Sequence, residues 1–425
     1  MTSEKHLKAR IRARMAKTGE RYATARRHIV GEATAPAPAR TDRGYRLRGG
    51  IHPESANIAN VLHHHGYPIS EAMVLGVGGG LGAGYILWEW TEHRIKHLTL
   101  GFRNRWNYLD WTDRTLDRLG APYTTHRVGG AKAAAAQLTA ALTAGTPAIT
   151  VPDRQIVGYW YLNEHFNGHG GHQVVAYALT DEGVRLDDRN LAPLTVGRET
   201  FDAARARVGS YKNYLCVIAG PATADLKAAA VAGIADCVAH LGASSASFAI
   251  PAWRKWSKLV TDPKAAKGWP TVFADGTGLA SAMLSTWEGI EPVGMSGGNL
   301  RDLYADFLDE AAGLLGAPDL SGCATAFRAA AARWHEVAEV VLPADVPEYA
   351  RVRELAATVA ATVTLGDEGA DDRRAAGTEL WALRVEYDQR PPARPDLSAL
   401  GASLAAAYDA EAEAVEALRK ASAGL

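Results

Sequence analysis

Residues 52–66 read HPESANIANVLHHHG, and the fold can be worked out from this stretch. Ile58, Val61 and Leu62 fall at i, i+3 and i+4, so an apolar helix face is expected between Pro53 and His65. Pro53 suits the first turn, where its missing N–H would have no partner and its ring pre-sets φ. Gly66 ends the helix, and His63-His64-His65 lie where imidazolium is favourable against the helix dipole. Further along, strand signals take over. Tyr85–Trp88, Leu98–Phe102 and Ala148–Val151 read as strands, alternating with helices at 108–119 and 131–144. Gln173–Ala178 and Val184–Leu186 form a hairpin across Asp181-Glu182-Gly183, and Tyr214–Ala219 closes the region. Residues 47–220 therefore read as α+β.

From Pro221 the pattern changes to alanine-rich amphipathic helices, at 226–241, 276–289, 300–315, 323–340, 347–364, 376–386 and 398–421. Residues 221–425 are expected to form an all-α domain, with Trp253, Trp256 and Trp269 making a lid or groove. Two domains suit a chain of 425 residues. In front of them, residues 1–30 carry nine Lys and Arg against Glu4 and Glu20, a local charge of +7. Leu7, Ile11 and Met15 give this stretch a helical face, and residues 17–22 resemble an arginine-rich KTGERY element. It reads as a solvated basic helical arm, with RNA as the alternative anionic partner. Residues 31–46, with Ala-Pro-Ala-Pro at 35–38, read as a linker.

Composition narrows the function classes. At 47% hydrophobic and 22% charged residues the chain is globular, and a net charge of -1 gives no global field for nucleic acid. Cys216, Cys237 and Cys323 are scattered, which argues against a disulfide framework or a zinc-thiolate site. The N-terminus is charged from Glu4 onward, unlike a secretory signal. The apolar run from Ala72 to Trp88 is interrupted by Gly76, Gly78, Gly79, Gly80, Gly82 and Gly84, so no membrane helix is expected there and the chain reads as cytoplasmic. The same glycines do not make a dinucleotide fingerprint: positions 76, 78 and 81 are Gly, Gly and Leu, and the run leads into a strand. A tight backbone bend beside the site is the expected role, and no cofactor is implied.

Candidate chemistry gathers in His52-Pro53-Glu54-Ser55, Gly168-His169-Gly170-Gly171-His172 and Asp187-Asp188-Arg189. His52, Glu54 and His172 could converge as acid–base groups at the start of the first helix. A metal held by His52, Glu54, His169 and His172 lacks any supporting ligand spacing, so none is expected.

Four stretches carry a resemblance to the butirosin biosynthesis protein H N-terminal domain family: HPESANIANVLHHHG (52–66), ISEAMVLGVGGGLGAGY (69–85), GGHQVVAYAL (170–179) and LDDRNLAPLTV (186–196). GGNLRDLYADFLDEA (297–311) resembles the helical domain that accompanies it. The resemblance implies a papain-like N-terminal domain and acyl transfer from a carrier-protein thioester to an amine in antibiotic biosynthesis, or amide hydrolysis. It also implies a thiol at the helix start, a histidine from the central strand and an Asp or Asn to orient it. His172 and Asp188 match the last two. The thiol position is Pro53, which has no nucleophile, leaving Ser55 or a water as the attacker and His52 and Glu54 to position the substrate. Tyr85, Arg301 and Tyr304 are expected to line the substrate pocket, with a core stripe through Tyr304 as the alternative. A small-molecule substrate and an acyl carrier protein are the implied partners. Two other readings stay open: a cofactor-free cyclase or lyase running on His52, Glu54 and His172, and a non-catalytic binding protein on a papain-like fold.

Overall fold

The computed structural model describes residues 44–90, 95–162, 168 and 170–425. The expected basic arm, most of the linker and His169 lie outside the described residues. The linker ends earlier than expected, because Tyr45 and Leu47 are already buried. The Tyr45 ring stacks on Tyr177 at 4.9 Å, and its hydroxyl donates to Asp187 at 2.7 Å.

The first helix, α1, runs Pro53–His64, and a second, α2, runs Glu71–Val77. Strands β1 (Leu81–Trp90) and β2 (Ile95–Arg103) pair with each other antiparallel. After α3 (Tyr108–Leu119) come β3 (Tyr123–Arg127), α4 (Ala131–Thr143), β4 (Ala148–Thr150), β5 (Val174–Thr180), β6 (Gly183–Asp187), β7 (Leu194–Val196), α5 (Arg198–Arg207) and β8 (Tyr214–Ile218). Six of these strands form one antiparallel sheet in the order β3-β8-β4-β5-β6-β7. The short segments β3 and β7, and helices α2 and α5, were not expected from sequence. β3, with Thr124, Thr125 and Arg127 exposed, offers no apolar alternation to read.

The helical half comprises α6 (Leu226–Leu241), α7 (Pro251–Leu259), α8 (Trp269–Val272), α9 (Leu279–Ile290), α10 (Arg301–Leu315), α11 (Asp319–Val341), α12 (Pro347–Thr364), α13 (Ala370–Gln389) and α14 (Leu397–Ala421). The α+β region followed by an all-α region is thus observed. Their cores are nevertheless continuous, because the β1–β2 hairpin leaves the sheet and packs on the helices. Strand alternation points Tyr85, Leu87, Leu98 and Phe102 inward. Phe102 meets Trp253 at 5.4 Å and Trp334 at 5.2 Å, and Tyr85 stacks on Trp256 at 5.0 Å. The expected tryptophan lid is therefore corrected: Trp253, Trp256 and Trp269 are interior packing groups. Burying each such ring favours folding by roughly 1.5–3 kcal/mol or more.

The glycine run has a packing cause. Gly76 belongs to α2, and a Cβ there would stand 2.2 Å from the Phe307 ring. At Gly80, with φ +65°, a Cβ would come within 2.3 Å of Tyr304. These glycines let α10 press its aromatic face onto the chain, with a tight bend between α2 and β1. Among the described residues no helix is long and apolar enough to cross a membrane.

Candidate functional site

Local hydrogen bonding fixes the start of α1. His52 is the N-cap: its Nδ1 accepts from the Ser55 backbone N–H at 3.3 Å and lies 2.9 Å from Ser55 Oγ. An imidazole nitrogen thus does the capping usually done by a Ser or Asp oxygen. Because Nδ1 accepts, Nε2 carries the proton and donates to Glu54 Oε2 at 2.6 Å. Burial would raise the Glu54 carboxyl, but the Arg103 charge and the hydrogen bond from His52 hold it well below the usual carboxylate range. Both nitrogens of His52 are therefore occupied. Ser55 is fully buried, and its hydroxyl is held by His52 and by Glu71 Oε1 at 3.2 Å; neither partner is His172. Glu71 also accepts the backbone N–H of Ile51 at 2.9 Å and of His52 at 2.7 Å. Burial raises its pKa, opposed by those bonds.

The histidine enters from the sheet. β5 lies beside α1, and Asn57 Nδ2 donates to the Gln173 carbonyl at 2.9 Å. His172, immediately before, donates its backbone N–H to Pro152 at 2.9 Å and places Nε2 2.8 Å from Asp188 Oδ1. Asp188 follows β6, the strand that pairs with β5. Its carboxylate is ringed by donors. Arg189 reaches Oδ1 through Nε at 3.2 Å and Nη2 at 3.0 Å. Tyr159 Oη and Trp160 Nε1 reach Oδ2 at 3.0 and 2.8 Å. Burial alone would raise this carboxyl; the charges of His172 and Arg189 and the hydrogen bonds from His172 and Trp160 overcome it and keep Asp188 ionised. An ionised acceptor at Nε2 requires the proton there, so a neutral His172 presents Nδ1 as a lone pair. Among the described residues Nδ1 has no hydrogen-bond partner. Arg189 also donates Nη1 to the Ile51 carbonyl at 2.9 Å, which ties the dyad to the residue before His52. Its φ of 62° turns the chain so that one side chain bridges both elements.

Three expected pocket residues lie elsewhere. Arg301 is fully buried, bonded to Glu411 and to the carbonyls of Gly82, Asn299 and Phe102, so it offers nothing to a substrate. Tyr304 is buried against Phe307 and Phe327, as a core stripe would place it. The Tyr85 hydroxyl accepts from Trp269 inside the helical core. The cysteines do not replace the missing thiol either: all three are free and buried, and burial pushes Cys216 up to about 12 and Cys237 up to about 11. The histidines ending α1 are also corrected: burial lowers the pKa of His63, His64 and His65, which favours neutral rings. No cluster of three His, Cys, Asp or Glu suited to a metal occurs among the described residues.

Sequence reasoning missed Glu71, Tyr159 and Trp160, and gave Arg189 no role. Ser70-Glu71 carried a usable signal, since Ser70 caps α2 through a 2.9 Å bond from Met73 N–H. Tyr159 and Trp160 sit in a segment without periodicity.

Residues 52–189 match the family described as Butirosin biosynthesis protein H, N-terminal. This stretch is thus an N-terminal domain of that family. Residues 200–372 match the Domain of unknown function (DUF4872), the companion domain. No curated protein matches the chain. The butirosin-type domain contains every residue of the dyad and of the α1 start, and it relates the chain to antibiotic and natural-product biosynthesis. Strand β8, which sits between β3 and β4, comes from the stretch matched by the companion domain.

Proposed function

We propose that this chain, on a papain-like scaffold, transfers an acyl group to a small-molecule amine, or hydrolyses the corresponding amide, by general-base catalysis without an acyl-enzyme. One observation carries the reading: a braced His172–Asp188 dyad stands beside a helix start whose nucleophile position is Pro53 and whose nearest hydroxyl, Ser55, is committed to His52 and Glu71. His172 Nδ1 takes the proton from the attacking amine or water as its bond to the acyl carbon forms. The imidazolium then returns the proton to the departing sulfur or nitrogen as its bond to the acyl carbon breaks. Asp188 remains ionised, favouring the imidazolium and fixing the ring. His52 and Glu54 act as positioning residues that shape the helix start. The cyclase or lyase reading needs a free nitrogen on His52, and both are occupied. The acyl donor is a thioester, with a carrier protein as its natural bearer, as the family match of residues 52–189 suggests.

The test incubates the full chain with aminoacyl N-acetylcysteamine thioesters and a panel of diamines, following small-molecule products and intact protein mass. Amide product without protein adduct is expected, together with a loss of about 10²–10⁴ in rate for His172→Ala. An acyl adduct on Ser55, unchanged turnover in His172→Ala, or no product from any donor would overturn it.

A further inference from the structure

The outer face of the β1–β2 hairpin carries side chains that the core does not use. With Tyr85, Leu87, Leu98 and Phe102 turned inward, alternation leaves Gly84, Ile86 and Trp88 on β1, and Thr99, Gly101 and Arg103 on β2, facing the other way. Gly84 and Gly101 are cross-strand partners, so the middle of this face has no side chains. A Cβ on Gly101 would lie 3.2 Å from the Trp106 ring. Above the glycine pair is a cavity of about 350 Å³, within the range of small-molecule sites. Trp106 and Phe248 line it with their rings 5.8 Å apart, and both are more than a third exposed, at 46% and 40%. Two large rings left in water at one cavity are unusual on a surface without a ligand role.

The charged lining is mainly cationic. Arg103 and Arg105 face Asp110 as the acidic residue of the wall, with His240 beside them. Arg105 shares Asp236 with Arg114 and Arg118, at 3.3, 3.2 and 2.8 Å, so three guanidinium groups are offset by one carboxylate. Arg105 Nε is buried without a hydrogen-bond partner, and the residue sits at φ 59°, a backbone strain of the kind that gathers at ligand sites. Arg103 lies over the Trp111 ring at 5.0 Å and 3.9 Å from Glu54, which joins the cavity to the start of α1.

We infer that this groove binds an anionic ligand with a flat apolar body, the oxyanion on Arg105 and the body lying beside Gly84 against the exposed side of the contacting Trp106–Phe248 pair. Calling that ligand the substrate rests on the proposed function; the binding itself does not.

The probe is 8-anilinonaphthalene-1-sulfonate, with N-phenyl-1-naphthylamine as its uncharged counterpart, titrated against the full chain by fluorescence and calorimetry. Expected are one saturable sulfonate site and at least about tenfold weaker binding of the uncharged probe, the size of one charge-assisted hydrogen bond. Arg105→Gln should weaken the sulfonate by about tenfold and leave the uncharged probe unchanged. Gly101→Val should abolish both, and should it fail to fold, Trp106→Ala replaces it with a loss of affinity for both probes. Equal affinity for the two probes, no saturable site, or sulfonate binding unaffected by Arg105→Gln would overturn the inference. His172→Ala should bind the sulfonate as the wild type does, so a failure of acyl transfer and a failure of the groove register separately.

Discussion

Asp188 and Glu411 are both buried carboxylates surrounded by donors, one beside the sheet and one within the helical region. Asp188 receives His172, Arg189, Tyr159 and Trp160. Glu411 receives Arg301 through Nε at 3.1 Å, Trp334 at 2.8 Å and Trp253 at 3.4 Å. The difference lies in what their partners have left. Arg301 spends its remaining donors on the carbonyls of Gly82, Asn299 and Phe102, so that pair is closed and welds the hairpin to the helices. His172 gives one nitrogen to Asp188, and among the described residues nothing bonds the lone pair on the other. A buried ion pair alone is therefore a poor marker of function; an unused atom on one partner is the informative feature.

The comparison can be tested first at its closed end. Arg301→Leu leaves Glu411 buried and unpaired, and should cost about 3–5 kcal/mol in denaturant unfolding. Adding Glu411→Leu should restore much of that loss, since a closed pair contributes no chemistry. A single variant as stable as the wild type would show that the two pairs do not differ in the way described.

Acid titration should sharpen the open end. Asp188 and Glu54 are held below the usual carboxylate range when folded, so in the unfolded chain they take up protons at about pH 4 while the folded forms stay ionised. Their contribution to stability is therefore complete above that pH and is lost as pH falls below it. Asp187 has the opposite sign. Burial raises it to about 6, so the folded form binds its proton first, and this group adds stability as pH falls from about 6 towards 4. Melting midpoints from pH 7 to pH 2.5 should fall more gently in Asp188→Asn than in the wild type. Equal slopes would remove Asp188 from the acid response.

The smallest effect is expected from Tyr159→Phe, which deletes one of several donors on Asp188. A loss of about 1 kcal/mol is expected, with the dyad still intact because Trp160 and Arg189 remain. Calorimetric melting measures it, and a loss several times larger would make Tyr159 the principal brace.

Much of this was legible along the chain because the signals are local. The apolar spacing of Ile58, Val61 and Leu62 located α1, and the hairpin across Asp181-Glu182 brought together the positions just before β5 and just after β6, where His172 and Asp188 stand. The opening turn of α1 was readable as well, and the family resemblance marked Pro53 as standing at the thiol position. The pocket role expected of Tyr85 and Arg301 failed, and Tyr304 followed its core-stripe alternative, because a side chain's type does not say whether its neighbours leave it an exit. Arg301 looked substrate-facing only while Glu411, 110 positions away, was out of view.

By itself the amino-acid order determined the two-part architecture and the principal helices, because helix period, strand alternation and turn chemistry act between residues close in sequence; the candidate dyad was picked out by the family resemblance of residues 170–179 and 186–196. Only the tertiary structure decided which donors were already spent: that His52 has both nitrogens engaged, that Ser55 is held away from His172's role, and that the hairpin's glycines open a cavity. Those outcomes depend on contacts between distant segments, where burial makes each hydrogen bond exclusive, and no local pattern encodes that exclusivity.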